Sequence, residues 1–99
     1  MTITKTKDGD TLVLALEGRL DTTTASQLQE ALIPEFDQEK KIRLDFKELA
    51  YVSSAGLRVL LMGEKTAQGK GGGMTLANVS SEIVEVFEMT GFSDVLHVE

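Results

Sequence analysis

The sequence predicts an α/β domain whose mixed, mostly parallel sheet opens with an antiparallel hairpin and carries helices packed on it, in the order β-β-α-β-α-β-α-β. Three observations lead there. Strand-length apolar runs alternate with segments whose apolar residues recur at helical spacing, the pattern of parallel strands joined through helices. The first two strand-like runs are instead joined directly through Asp8-Gly9-Asp10, a turn signal, so the sheet must begin with a hairpin. A length of 99 residues with 41% hydrophobic content suffices for one modest core, so residues 1–99 are expected to form one domain.

Each element follows from its own residues. Thr2 to Lys7 alternates weakly and reads as an edge strand, whereas Thr11 to Glu17 is nearly unbroken apolar sequence and reads as a central one. Beyond Gly18-Arg19-Leu20-Asp21, the residues Ala25, Leu28, Leu32 and Phe36 keep helical spacing, with Asp21, Thr22, Thr23 or Thr24 available as N-cap. Pro34 lacks a backbone donor, which predicts a kink or an end near Ile33. Ile42, Leu44 and Phe46 alternate with Arg43 and Asp45 as a half-buried strand, and Lys47 to Ala50 are expected to turn the chain toward the next helix. That helix, from about Ala55, is apolar almost all round at Leu57, Val59, Leu60, Leu61 and Met62 before it becomes polar at Glu64 and Lys65, so its first half must be deeply packed. Met74 to Val79 is a strand. Ser80 and Ser81 cap a helix bearing Ile83, Val86, Phe87 and Thr90 on one face, Gly91 ends it, and Val95 to Val98 reads as a final strand.

The chemistry concentrates at Tyr51-Val-Ser-Ser-Ala-Gly-Leu-Arg58, where two hydroxyls and a glycine stand at the beginning of the apolar helix. Serine ahead of such a run is a preferred N-cap, because its oxygen accepts a hydrogen bond from an orphan backbone N–H. Capping accounts for one serine and leaves the second without a role. A helix N-terminus also favours negative charge, so a phosphoryl group on Ser53 or Ser54 would be stabilised there.

Composition narrows the partners. Ten Lys and Arg against 16 Asp and Glu give a net charge of -6, which opposes nucleic acid and anionic membrane and favours a protein partner. The absence of cysteine removes disulfides and thiolate chemistry and is compatible with a reducing cytoplasm. Met1 to Asp8 contains no apolar core of a signal peptide, and no apolar run approaches the roughly 20 residues of a membrane span, so a soluble cytoplasmic chain is expected. Gly69-Lys70-Gly71-Gly72-Gly73 follows a helix and has Gly71 after the lysine, so it suits a helix C-cap better than a phosphate loop. His97, the one histidine, lies in the last strand and supplies neither a catalytic relay nor a metal cluster; no catalytic residue, metal or cofactor is expected.

These motifs resemble the STAS domain, and in particular the bacterial anti-sigma factor antagonists, whose hallmark is Asp-Ser-Ser-Gly-Leu-Gly after a strand. Gly18-Arg19-Leu20-Asp21 is similar to the family's Gly-Glu-Leu-Asp, Leu44-Asp45-Phe46 with Leu49-Ala50-Tyr51 to its approach strand, and Phe87-Glu88-Met89-Thr90-Gly91-Phe92 to its late helix end. The resemblance implies a STAS-type fold over nearly the whole chain and maps the phosphoacceptor, two residues before the motif glycine Gly56, to Ser54. It implies a partner-binding surface from Asp21, Thr22 and Thr23 with Ser53, Ala55, Gly56, Leu57 and Arg58. Ser53, Ala55 and Arg58 stand where the hallmark has aspartate, the second serine and the final glycine. The implied function is that of a ligand rather than an enzyme: the unphosphorylated protein binds an anti-sigma factor that is itself an ATP-dependent serine kinase and so frees the sigma factor. Phosphorylation of Ser54 ends that binding, and a PP2C-type serine phosphatase restores it. The alternative is a constitutive STAS interaction subunit of a signalling or lipid-transport complex, with Ser54 serving only as a cap.

Overall fold

The computed structural model describes residues 1–99. A hairpin of β1 (Thr2–Asp8) and β2 (Thr11–Leu20) turns at Gly9, whose φ of 63° is the left-handed conformation that glycine adopts without a Cβ penalty. The chain continues through α1 (Ala25–Leu32), a 3₁₀ turn (Ile33–Asp37), β3 (Lys41–Val52), α2 (Ser54–Gly69), β4 (Gly73–Ala77) and α3 (Ser81–Thr90). The sheet order is β1-β2-β3-β4, with β1 antiparallel to β2 and the other pairs parallel. The predicted edge and centre are therefore where expected, and the α1 boundary falls at Ile33 as Pro34 requires, the helix tightening into the 3₁₀ turn.

Side-chain parity positions the core. Leu12, Leu14 and Leu16 of β2, Ile42, Leu44 and Phe46 of β3, and Met74 and Leu76 of β4 all point to the buried face, where Leu28 and Leu32 of α1, Leu57 and Leu60 of α2, and Ile83 and Phe87 of α3 meet them. The opposite face carries Thr4, Val13, Ala15, Arg43, Asp45 and Thr75, none of them buried. Burial of the first half of α2 agrees with its apolar sequence.

Three local expectations need correction. Lys47 to Ala50 do not turn away; β3 stays paired to Val52, because register shifts between Ala15 and Glu17 and between Gly18 and Arg19 let β2 follow it. These shifts explain why burial goes from Phe46 to Leu49 to Val52, a spacing that does not look like a strand in sequence. Second, the last β element of the expected order contributes one parallel bridge, Val98 to Leu76, in place of a full strand. Phe92–Asp94 forms a 3₁₀ turn that draws Val95 and Leu96 into turn hydrogen bonds, and only His97 and Glu99 remain to bond Leu76, at 2.9 Å each. Third, Glu64 is not part of a solvated helix end. Its side chain is 2% exposed, with Oε2 accepting from Gln68 Nε2 at 2.8 Å and lying 3.3 Å from Nε2 of the exposed His97, while Oε1 has no partner.

The glycine run behaves as a C-cap. Lys70 caps α2, Gly71 takes a φ of 72°, and the site of a Cβ on Gly72 would lie 2.2 Å from the Lys40 carbonyl oxygen, so only glycine lets the chain pass β3. Gly91, at φ 80°, ends α3 likewise.

Candidate functional site: the first turn of the central helix

The site is assembled where the C-terminal ends of β2 and β3 meet the start of α2. The Ser53 N–H donates to the Leu20 carbonyl at 2.8 Å, tying the two strand ends together at the point where β3 ends. With φ -93° and ψ 176°, Ser53 is extended, and its Oγ accepts from the Gly56 N–H at 3.3 Å: Ser53 is the N-cap. Ser54 is then the first residue of the helix proper, exposed, with no hydrogen bond from its hydroxyl. The two serines thus divide between them what the sequence left shared, and the capping role belongs to Ser53 rather than Ser54.

Gly56 and Leu57, expected on the partner-binding surface, are buried. A Cβ on Gly56 would sit 2.6 Å from Leu20 Cγ and 3.1 Å from the Leu20 carbonyl oxygen, so the glycine allows the helix to rest directly on the end of β2. Leu57 anchors the same turn in the core. Their contribution is to fix the height and direction of the turn on which exposed Ser54 and Arg58 and half-buried Ala55 are presented.

Beside this turn lies the segment that leaves β2. Asp21 Oδ1 accepts from the Thr23 N–H at 3.0 Å and from the Thr23 hydroxyl at 2.7 Å, closing a local turn. The Thr23 hydroxyl bond is the main reason the Asp21 carboxyl is held below the usual carboxylate range. Thr24 occupies the N-cap position of α1 but makes no side-chain cap; its hydroxyl accepts from the Asp21 N–H at 2.9 Å and donates to the Arg19 carbonyl at 2.8 Å. Asp21, Thr22 and Thr23 are thereby kept as a rigid, partly exposed shoulder next to Ser53, through its bond to Leu20.

Sequence reasoning missed one member of this surface. The Arg19 guanidinium lies 4.3 Å from the centroid of the Tyr51 ring, and its Nε is 3.7 Å from Asp21 Oδ2. The parallel register that pairs Arg19 with Tyr51 depends on the bulges in β3, where one extra residue stands at each register shift and which have no sequence signature here. No group of three His, Asp or Glu side chains is placed to hold a metal ion, and the two surface hollows, one beside Thr4 and Asp45 and one beside Lys41 and Thr75, lie along the sheet and do not include the serine turn.

The sequence model of the Mlab, STAS domain family matches residues 3–97 of this chain. The chain belongs to the STAS domain family. BtrV of Bordetella bronchiseptica is 34% identical over 99 residues, an alignment that takes in 99% of this chain and 85% of BtrV. The anti-sigma-B factor antagonist of Bacillus subtilis is 30% identical over 83 residues, covering 84% of this chain and 76% of the relative. In fold, the chain is similar to the anti-sigma factor antagonist SpoIIAA in its unphosphorylated form, with a TM-score of 0.78 at 20% identity, over 99% of this chain and 87% of that one. It is also similar to the Bacillus cell-fate determinant SpoIIAA in its phosphorylated form, with a TM-score of 0.76 at 21% identity, over 99% of this chain and 91% of that one.

Proposed function

We propose that this STAS domain, residues 1–99, is an anti-sigma factor antagonist switched by phosphorylation of Ser54. In this reading its unphosphorylated surface, formed by Asp21, Thr22, Thr23, Ser53, Ala55 and Arg58 around Ser54, binds an anti-sigma factor serine kinase in the cytoplasm and frees the sigma factor. The kinase transfers the γ-phosphoryl group of ATP to Ser54 Oγ, ADP leaves, and the complex dissociates; a PP2C-type serine phosphatase returns the protein to its binding form. The domain itself is substrate and ligand and catalyses no step.

One observation carries the reading. Ser53 performs the capping, so Ser54 is left exposed at the first position of α2 with an unengaged hydroxyl. A phosphoryl group there adds a charge of about -1.5 to -2 at the positive end of a helix, which the free domain accommodates, while any partner seated on the turn must face the new charge. Further support comes from the relatives named as anti-sigma factor antagonists and from SpoIIAA, which exists in both phosphorylated and unphosphorylated forms. The buried anchors Gly56 and Leu57 keep the turn in place when the charge changes, so binding can be gated without refolding.

The test is binding of the Ser54→Asp variant to the anti-sigma kinase encoded by the same organism. A large loss of affinity, with thermal stability close to wild type, is the expected result. Affinity equal to wild type would instead favour a constitutive interaction subunit.

A further inference from the structure

We propose that Arg58 is the intramolecular partner of a phosphoryl group on Ser54, an inference that rests on Ser54 being the phosphoacceptor. Ser54 and Arg58 are four residues apart in α2 and both are exposed, so they lie on one face of the helix with Cβ atoms about 5–6 Å apart. Long helical side chains lean toward the N-terminus, which carries the Arg58 guanidinium over the turn that Ser54 begins. An anionic residue four positions ahead of a cationic one is also the favourable order of such a pair.

Arg58 is free to take this role. Of the three arginines, Arg19 meets Asp21 at 3.7 Å and stacks on Tyr51, and Arg43 meets Glu99 at 2.8 Å, whereas Arg58 has no carboxylate partner and no side-chain hydrogen bond. Its planar fork of donors matches phosphate oxygens, giving short charge-assisted hydrogen bonds. The pairing has two consequences for the switch. It holds the phosphoryl group against the helix in the free domain, and it withdraws an exposed cation from the surface a partner meets.

The experiment installs phosphoserine at position 54 by genetic encoding, so that it needs no kinase, and follows the second phosphate ionisation by ³¹P NMR. The proteins compared carry Arg58, Arg58→Gln or Arg58→Lys. The helix N-terminus acts on all three alike. With Arg58 the second pKa is expected to be lower than in Arg58→Gln by about 0.3 or more, with Arg58→Lys in between and the difference shrinking in high salt. Identical titration of the Arg58 and Arg58→Gln proteins would overturn the proposal. Failure of the switch itself reads out separately: the phosphoserine protein would bind the anti-sigma kinase as tightly as the unmodified one, whatever the titration shows.

Discussion

Three glycines of α2 are expected to respond to alanine in three different ways. In a helix interior, glycine is less favourable than alanine by about 0.8–1.0 kcal/mol, so each substitution begins with that gain. At Gly56 the new methyl would lie 2.6 Å from Leu20 Cγ and 3.1 Å from the Leu20 carbonyl oxygen. Leu20 is 0% exposed, and the obstructing atoms are its backbone and the base of its side chain, so it cannot swing aside. Overpacking of such a site costs about 1–3 kcal/mol, toward the upper end where backbone is involved. The net expectation for Gly56→Ala is a loss of about 1–2 kcal/mol, or about 5–15 °C in Tm for a domain of this size. At Gly63 the nearest atoms are Met74 Sδ at 2.8 Å and Leu32 Cδ2 at 2.9 Å, both at flexible side-chain ends, so the two effects nearly cancel. At Gly69 nothing lies within 4 Å, and alanine should stabilise by about 0.4–1 kcal/mol. Urea denaturation followed by circular dichroism, with the three m-values compared, measures the series. Gly56→Ala as stable as wild type, or less harmful than Gly63→Ala, would refute the close approach of α2 to the end of β2 on which the placement of Ser54 depends.

Ser53→Ala should lose the N-cap of α2 and about 0.5–2 kcal/mol of stability, while Ser54→Ala should unfold at the wild-type urea midpoint; the reverse order would mean that the serines exchange roles. Glu64→Met is expected to leave stability unchanged or to raise it by about 1–4 kcal/mol, because it replaces a buried carboxylate with one unpaired oxygen by an apolar chain while its partners His97 and Gln68 can turn to water. A clear drop in Tm would show that the carboxylate supports the docked C-terminal segment. The carboxyls of Asp21, through the Thr23 hydroxyl, Asp45, through the Asn78 amide, and Glu99, through Arg43, are all held below their ordinary values in the folded protein. Their stabilisation is therefore complete above the unfolded values near pH 4 and is lost as the pH falls through the folded ones. Unfolding free energy measured from pH 2 to 6 should decline only below about pH 4, and Asp45→Asn should flatten part of that decline; a steep loss already at pH 5 would contradict these assignments.

The sequence patterns that proved readable were those in which one local rule decided the outcome. The apolar run of β2, the alternation in β3, the Asp8-Gly9-Asp10 turn, the Pro34 boundary and the Gly91 stop each depend on a few adjacent residues, and each lies where its chemistry requires. What could not be read depended on partners distant in sequence. The extension of β3 to Val52 comes with bulges in β3 itself that keep it in register with β2, the burial of Glu64 from the C-terminal segment that brings His97 across it, and the reduction of the last strand to one bridge from the 3₁₀ turn at Phe92–Asp94. The serine turn was recognisable as a helix start, but the division between a capping Ser53 and a free Ser54 needed coordinates, since either serine satisfies the capping preference in sequence. Arg19 over Tyr51 was invisible for the same reason as the β3 extension.

The central claim, that Ser54 is the residue through which binding is switched, is tested most directly by peptide mass spectrometry after incubation with ATP and the organism's own anti-sigma kinases, comparing wild type with Ser54→Ala. One phosphoryl group is expected, located on Ser54 and absent from the mutant, which then stays bound to its kinase when ATP is added. Phosphate on Ser53 instead, or no phosphorylation by any cognate kinase, would contradict it.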